Sequence, residues 1–279
     1  MSEELRIVAD GLSFPEGPYQ LPDGRLLVQQ PRDHRIVAVS PGGEVRTWVE
    51  TPNAGTGGIV FNQAGYAFAT GGNGTNHILR ITPERAVESF VTDYEGQPFL
   101  GPNDLAMHPS GHVFFSDPGK FVTARPNGGF YRTDFQGRTV RVAENLGFPN
   151  GVTVSHDGRR VYLAETLTGL VKAFDVAESG EVTGSSVFAE VGRGTGQGGP
   201  DGMCVDSEGN LYVAIYTGGI VRVVSPDGRH LRDIQTGGAD PTNCCFGSSD
   251  LKTLYITESE SGTLRSMRND ISGAPPVLP

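Results

Sequence analysis

The stretch VDSEGNLYVAI, residues 205–215, places a polar turn before a short run of β-branched and aromatic residues. Such a run after a glycine-containing turn is typical of a β-strand that leaves a tight hairpin. The same pattern occurs in six segments of the chain: LPDGRLLVQQ (21–30), FNQAGYAFAT (61–70), MHPSGHVFFSD (107–117), VSHDGRRVYLAE (154–165), VDSEGNLYVAI (205–215) and GSSDLKTLYITE (247–258). An internal repeat therefore decides the fold.

The spacing of the repeat identifies its structural unit. Five glycines and one aspartate mark its turns, and successive markers are 41 to 51 residues apart: Gly24, Gly65, Gly111, Gly158, Gly209 and Asp250. That period suits a four-stranded propeller blade. A third apolar segment follows each turn strand, as in HRIVAVS (34–40), and a fourth usually follows, as in VRTWVE (45–50). The sequence therefore predicts an all-β, six-bladed propeller.

The two ends of the chain bear on how the ring closes. The sixth repeat has no fourth strand, whereas the strand-like segment ELRIVAD (4–10) precedes the first repeat. We predict that this N-terminal strand completes the last blade, because closure removes the free strand edges. The prediction is a single domain over residues 1–279, with residues 270–279 as a loose tail.

Composition excludes several classes of partner. The 279 residues include 40 glycines and 19 prolines, and the net charge is −10 without any block of basic residues. Such a chain does not attract a phosphate backbone, which excludes nucleic acid as a main partner. The N-terminus lacks the features of a signal peptide, and no apolar stretch reaches the ~18 residues that span a bilayer. We expect a cytoplasmic monomer or weak homo-oligomer without a membrane partner.

A second shared element lies upstream of each turn. Counting back eight residues from each turn marker gives one position per repeat: Glu16, Gly57, Asn103, Asn150, Asp201 and Thr242. The first strand of each propeller blade lines the axis, so these positions are expected to point at one spot. We call them the first ring. Apart from the glycine, every member carries a side-chain oxygen, and the alternative that each merely forms a local turn explains the set less well.

Converging carboxylate and amide oxygens suit a hard divalent cation. Glu16 and Asp201 would balance its charge, Asn103 and Asn150 offer neutral carbonyl oxygens, and Thr242 is a weaker direct ligand. We expect calcium first, with zinc, manganese or magnesium as alternatives.

A second ring is predicted at the end of the next strand, which runs back toward the same face. Its members are Gln30, Gly71, Asp117, Glu165, Ile215 and Glu258. Asp117 is the best candidate among them for a functional role. The histidines do not share the ring positions, since His108 and His156 fall toward the opposite face, and no G-x-S-x-G elbow is present. Cys204, Cys244 and Cys245 lack CxxC spacing and are predicted to be packing residues.

Several motifs together carry a family resemblance over nearly the whole chain. FPEGP (14–18), GPNDL (101–105), FPNGV (148–152), GPDGMCVD (199–206) and DPTNCCFG (240–247) resemble the SMP-30/gluconolactonase/luciferin-regenerating-enzyme family of six-bladed propellers. The resemblance implies one divalent metal on the axis, held by Glu16, Asn150 and Asp201. It also implies that Asn103 binds substrate, whereas in related phosphotriesterases this asparagine is itself a ligand. Animal members carry an arginine two residues before this asparagine, where this chain has Gly101, so the substrate preference of those members does not carry over.

The functional hypothesis is hydrolysis of a small-molecule lactone, either a sugar lactone or a related cyclic ester. The metal would polarise the carbonyl and a carboxylate would assist the attack of water. Asp201 is the candidate general base or nucleophile, with Asp117 as an alternative, and Asn103, Asp117 and Thr242 are the candidate substrate contacts. Two rivals are a phosphotriesterase or other metal-dependent hydrolase or isomerase, and a non-enzymatic propeller with a structural ion.

Overall fold

A computed structural model describes residues 4–72, 74–121 and 124–275 of the chain. The described residues contain strands, turns and loops and no helix. No helix in this part of the chain is therefore long and apolar enough to cross a membrane.

The strands follow one another blade by blade. The N-terminal strand is β1 (Arg6–Ala9), and the first blade comprises β2 (Glu16–Gln20), β3 (Leu26–Gln30), β4 (Arg35–Val39) and β5 (Val45–Glu50). The second blade comprises β6 (Ile59–Phe61), β7 (Ala67–Gly71), β8 (His77–Ile81) and β9 (Val87–Val91). A short hairpin follows, formed by β10 (Asp93–Tyr94) and β11 (Gln97–Pro98). The third blade comprises β12 (Leu105–Met107), β13 (Val113–Asp117), β14 (Gly128–Thr133) and β15 (Thr139–Leu146).

The remaining three blades repeat the same order. The fourth comprises β16 (Pro149–Val154), β17 (Arg160–Glu165), β18 (Leu170–Val176) and β19 (Val182–Glu190). The fifth comprises β20 (Pro200–Val205), β21 (Leu211–Ile215), β22 (Ile220–Val224) and β23 (His230–Gln235). The sixth comprises β24 (Pro241–Gly247), β25 (Thr253–Glu258) and β26 (Thr263–Arg268).

Each blade is an antiparallel sheet whose strands lie side by side in chain order, and the sixth is completed from the other end of the chain. Strand β1 pairs with β26, with Arg6 opposite Ser266 and Ile7 opposite Arg265. The sheet order is β1, β26, β25, β24. The predicted six-bladed architecture and its closure by the N-terminal strand are therefore confirmed.

The segment after β26 is attached to the sixth and fifth blades. The amide of Ser207 donates to the carbonyl of Ser272, Gly273 donates to Leu251, and Ala274 donates to Val205. Residues 272–274 are therefore attached, in contrast to the predicted loose tail over residues 270–279. The backbone groups of this segment find hydrogen-bond partners on two blades. Residues 276–279 lie outside the described residues.

Apolar packing joins the blades to one another. A buried cluster lies at each interface, such as the one around Phe114, Phe130 and Leu163 between the third and fourth blades. Cys204 and Cys244 belong to the cluster between the fifth and sixth blades, where their sulfur atoms are 3.4 Å apart. All three cysteines are free, as predicted for packing residues.

The first strands of the six blades contact one another in a closed ring, with β2 touching both β6 and β24. Their backbones approach so closely that, in four of the six blades, the position after the first ring has no room for a side chain. A Cβ atom on Gly17 would clash with the carbonyl of Gly57, one on Gly151 with the carbonyl of Asp201, and one on Gly202 with the Asn243 side chain. Glycine is therefore required at these positions for close approach.

Replacing Gly202 by alanine tests this packing. We expect Gly202→Ala to lower the free energy of unfolding by about 1–3 kcal/mol, since the methyl group must displace Asn243 in a filled interior. Gly42→Ala is the matched control, because a Cβ there meets only the Ser40 hydroxyl at 3.8 Å. Equal denaturant midpoints for the two variants would contradict the close approach at the axis.

Removal of β1 tests the closure of the ring. A chain that begins at Asp10 should lose about 2 kcal/mol of stability, because Val8 and Ala9 no longer pack on the sixth blade. A synthetic peptide of residues 4–10 should restore the melting temperature by adding a strand to the exposed edge of β26. A truncated protein that melts like the full chain would show that β1 does not hold the propeller closed.

Candidate functional site

A cavity of about 500 Å³ opens on one end of the propeller. Its lining includes the first-ring residues Glu16, Gly57 and Asn103. Asn150 and Asp201 are buried at the same ring level, with 6% and 7% of their surfaces exposed. Three first-ring residues therefore line the cavity, and Asn150 and Asp201 lie buried beside it.

The first ring concentrates negative charge. Burial raises the pKa of Glu16 well above its usual range, and the neighbouring carboxylates of Asp201 and Asp104 raise it further. The Gly17 amide and the Thr242 hydroxyl offset part of this effect. Burial followed by the charge of Asp104 also raises the pKa of Asp201, while Gly202 and Asn150 oppose the shift. The carboxylates therefore lie close enough to repel one another in a poorly solvated place.

Asn150 supplies an unused acceptor next to these carboxylates. Its side-chain nitrogen donates to the Thr166 hydroxyl at 3.4 Å, but its buried Oδ1 atom has no hydrogen-bond partner. A buried carbonyl oxygen without a partner is costly, and so is a buried pair of like charges. Both costs would be relieved by a cation, so the donor set of Glu16, Asn150 and Asp201 fits a hard divalent ion.

Among the residues that the structure describes, no group of three or more histidine, cysteine, aspartate and glutamate side chains is arranged to hold a metal. The donor set named above combines the carboxylates of Glu16 and Asp201 with the amide oxygen of Asn150.

Asn103 differs from the other first-ring residues in its exposure. Its backbone is fixed, since its amide donates to Ser116 at 3.0 Å and its carbonyl accepts from the Thr70 hydroxyl at 2.7 Å. Its side chain is partly exposed at the cavity and makes no hydrogen bond within the described ranges. This side chain is free to bind a ligand in the cavity.

Thr242 occupies a different position from the one expected for a substrate contact. It is completely buried, its hydroxyl donates to the Pro15 carbonyl at 2.7 Å, and it shares a hydrogen bond with Thr257 at 2.8 Å. Because Pro15 precedes Glu16, Thr242 joins the sixth blade to the first and supports Glu16. This arrangement fits a structural role better than the predicted contact with substrate.

The polar members of the second ring hold the loops that precede the first strands. We call the residues directly before the first strand of a blade its lead-in loop. The Asp117 carboxylate accepts from the amides of Leu100 and Gly101, at 2.9 and 2.7 Å. Asp117 is 2% exposed, so its oxygens face the lead-in loop of the third blade instead of the cavity. It is a positioning residue, in contrast to the predicted direct contact with substrate or role as general base.

The same kind of hydrogen bond, from a lead-in loop to a second-ring side chain, occurs in three other blades. Gln30 accepts from the amide of Ser13 at 3.1 Å, Glu165 accepts from Gly147 at 2.6 Å, and Glu258 accepts from Asp240 at 3.0 Å. Each acceptor lies at the end of the second strand of its blade, and each donor lies in the lead-in loop of that blade. The second ring thus fixes the loops that carry the first ring.

Two polar residues at the axis were missed by the sequence analysis. Asp104 follows Asn103, and Asn243 follows Thr242. Burial raises the pKa of Asp104 to about 7, although the amides of Val152 and Leu105 and the Asn243 side chain stabilise its charged form. The sequence carries a signal for both, because the residue after the first ring is glycine in the other four repeats. Where glycine is absent, a polar side chain fills the axis.

The histidines lie where the sequence places them. His108 is buried in a turn, and its Nε2 atom is 2.7 Å from the carbonyl of Gly158 in the next blade. It joins two neighbouring turns away from the first ring and takes no part in the candidate site.

Comparisons with known proteins agree with this architecture. The SMP-30/Gluconolactonase/LRE-like region matches residues 14–260 of the chain. A gluconolactonase from Zymomonas mobilis is 27% identical, with 94% of this chain and 80% of that protein covered. A 6-deoxy-6-sulfogluconolactonase from Pseudomonas putida is 34% identical over 61% of this chain and 62% of that protein.

A solved structure of regucalcin from Agrobacterium tumefaciens has the same fold, with a TM-score of 0.86 over 99% of this chain and 97% of that one, at 18% identity. The family match covers the six repeats and every member of the first ring. The chain therefore belongs to the SMP-30/gluconolactonase/LRE-like family.

Proposed function

We propose that this protein is a metal-dependent lactonase, which adds water to a small lactone and releases the open hydroxy acid. The observation that carries the proposal is the set formed by two buried carboxylates and the unpartnered Oδ1 atom of Asn150 beside an open cavity. The similarity to proteins named as lactonases supports this substrate class.

Glu16, Asn150 and Asp201 are the residues that would hold the cation. When bound there, a divalent ion supplies Lewis-acid polarisation of the lactone carbonyl and stabilises the negative charge that develops on its oxygen. Calcium suits the two carboxylates and the amide best, because all three donors are hard oxygen atoms.

Asn103 would position the substrate. Its backbone is held on both sides by Ser116 and Thr70, so its side-chain amide projects from a fixed point of the cavity wall. That amide can donate to a ring or hydroxyl oxygen of the substrate and accept from a hydroxyl group. Asn103 thereby orients the lactone relative to Glu16 and Asp201.

Asp201 would take the proton from the attacking water. The water oxygen bonds to the carbonyl carbon, the ring C–O bond breaks, and the proton passes from Asp201 to the departing alkoxide. Asp117 and Asp104 are less suitable bases, since two backbone amides bind each of their carboxylates. One backbone amide, that of Gly202, acts on Asp201.

Metal removal and reloading give the first test. Chelated protein should be inactive on lactones, and one of calcium, magnesium, manganese and zinc should restore proton release from a panel of aldonolactones and aliphatic lactones. The same ion should raise the melting temperature, because an ion that binds only the folded state stabilises it. Restored stability without turnover of any ester would favour a non-enzymatic propeller with a structural ion. Turnover of phosphotriesters but not of lactones would indicate a phosphotriesterase.

The substitution Asp201→Asn tests the role of the Asp201 carboxylate. Asp201→Asn should retain the fold and lower kcat on the best lactone by about 10²-fold to 10⁴-fold, since the general base is lost. Asp157→Asn is the matched control, because Asp157 lies in an exposed turn of the fourth blade, where it accepts from Ser155 and Arg159. An Asp201→Asn variant with activity near that of the control would remove Asp201 from the mechanism.

A further inference from the structure

Two aromatic residues at the cavity have an unfavourable backbone conformation. Phe14 and Phe148 have φ angles of 50° and 60°, in the left-handed region that bulky side chains rarely adopt. Each stands two residues before a first-ring residue and lines the cavity. The equivalent residue is glycine in three other repeats, namely Gly55, Gly101 and Gly199. Phenylalanine at these two positions costs backbone strain that glycine would avoid. This cost indicates that the aromatic side chains have a function.

These aromatic residues belong to the first and fourth blades, which face each other across a six-bladed ring. Each ring is also held by a neighbour. The Arg32 guanidinium lies 4.2 Å from the centroid of Phe14, and the ring of Phe121 packs edge-on against Phe148 at 5.0 Å. Gln30 and Glu165 fix the two lead-in loops through backbone amides. The two rings therefore lie on opposite sides of the cavity, and each packs against a neighbouring side chain.

Leu100 adds a third apolar surface. Although 52% exposed, it lines the cavity, and the Asp117 carboxylate accepts from its amide. An exposed leucine that is held in place beside a cavity is suited to contact with an apolar part of a ligand.

The cavity wall offers polar as well as apolar groups. No lysine or arginine lines the cavity among the described residues, and the polar side chains that do so are Glu16, Asn76 and Asn103. The amides of three lining glycines are engaged: Gly55 donates to Gly72, Gly57 to the Thr70 hydroxyl and Gly101 to Asp117. A negatively charged ligand would therefore meet no cationic side chain in the described wall.

We infer that the cavity selects an uncharged lactone that carries an apolar substituent. The lactone ring would lie at Glu16 and Asn103, and the substituent would pack between Phe14, Leu100 and Phe148. The inference rests on the proposed lactonase function and names its substrate class.

The competing feature is Arg32. It has no carboxylate partner in the described part of the chain, and it stacks on a residue of the cavity wall. If Arg32 decided selectivity, a lactone with a carboxylate substituent would be preferred. The test therefore includes such a lactone.

The experiment compares kcat/KM for γ-lactones with alkyl chains of increasing length, an aldonolactone of equal ring size and a carboxylated γ-lactone. We expect an increase of about three- to fourfold for each added methylene until the cavity is filled. Phe148→Ala and Leu100→Ala should each lower the ratio of long-chain to short-chain kcat/KM by about tenfold. Val187→Ala, an exposed apolar change on the outer strand of the fourth blade, should leave the ratio unchanged.

Binding of alkyl-substituted γ-lactams, measured by calorimetry, separates this inference from the proposed reaction because lactams are not turned over. Affinity that rises with chain length and is lost in Phe148→Ala supports the inference even if no lactone is hydrolysed, in which case the lactonase proposal alone fails. Hydrolysis that favours the aldonolactone, or favours the carboxylated lactone and loses that preference in Arg32→Ala, overturns the inference and leaves the lactonase proposal intact.

Discussion

Buried negative charge at the propeller axis is the constraint on which the other features of the site depend. Glu16, Asp104 and Asp201 come from three different blades, and burial raises the pKa of each. A fold that brings such groups together loses stability unless protons or a cation compensate them. The unpartnered Oδ1 atom of Asn150 adds a neutral oxygen to the same place. The cost of this arrangement is the physical reason to expect a ligand there.

Packing in the surrounding propeller offsets the free-energy cost of these buried charges. Apolar clusters join each blade to the next, and the inner strands approach so closely that Gly17, Gly151 and Gly202 cannot carry a side chain. Thr242 ties the last blade to the first through the Pro15 carbonyl, directly before Glu16. The first ring is thus held by a rigid frame, which keeps like charges close despite their repulsion.

The second ring connects this frame to the cavity. Side chains at the ends of the second strands accept hydrogen bonds from the lead-in loops, as Asp117 does for Leu100 and Gly101. Those loops lead directly into the oxygen donors of the first ring and carry the apolar side chains of the cavity wall. One set of hydrogen bonds therefore positions the charged and the apolar parts of the site together.

The sequence by itself determined the propeller, its six blades and the closure by the N-terminal strand, because turn chemistry and strand patterning repeat at a fixed period and are local properties. It also identified the first ring, since equivalent positions of a repeat lie at one depth around an axis. Only the tertiary structure decided which side chains face the cavity. Asp117 and Thr242 turn toward backbone groups of neighbouring segments, Asp104 and Asn243 fill the axis, and Phe14 and Phe148 line the cavity. These outcomes depend on contacts between residues far apart in the chain, and the direction in which a side chain points there is set by its partners rather than by its place in the repeat.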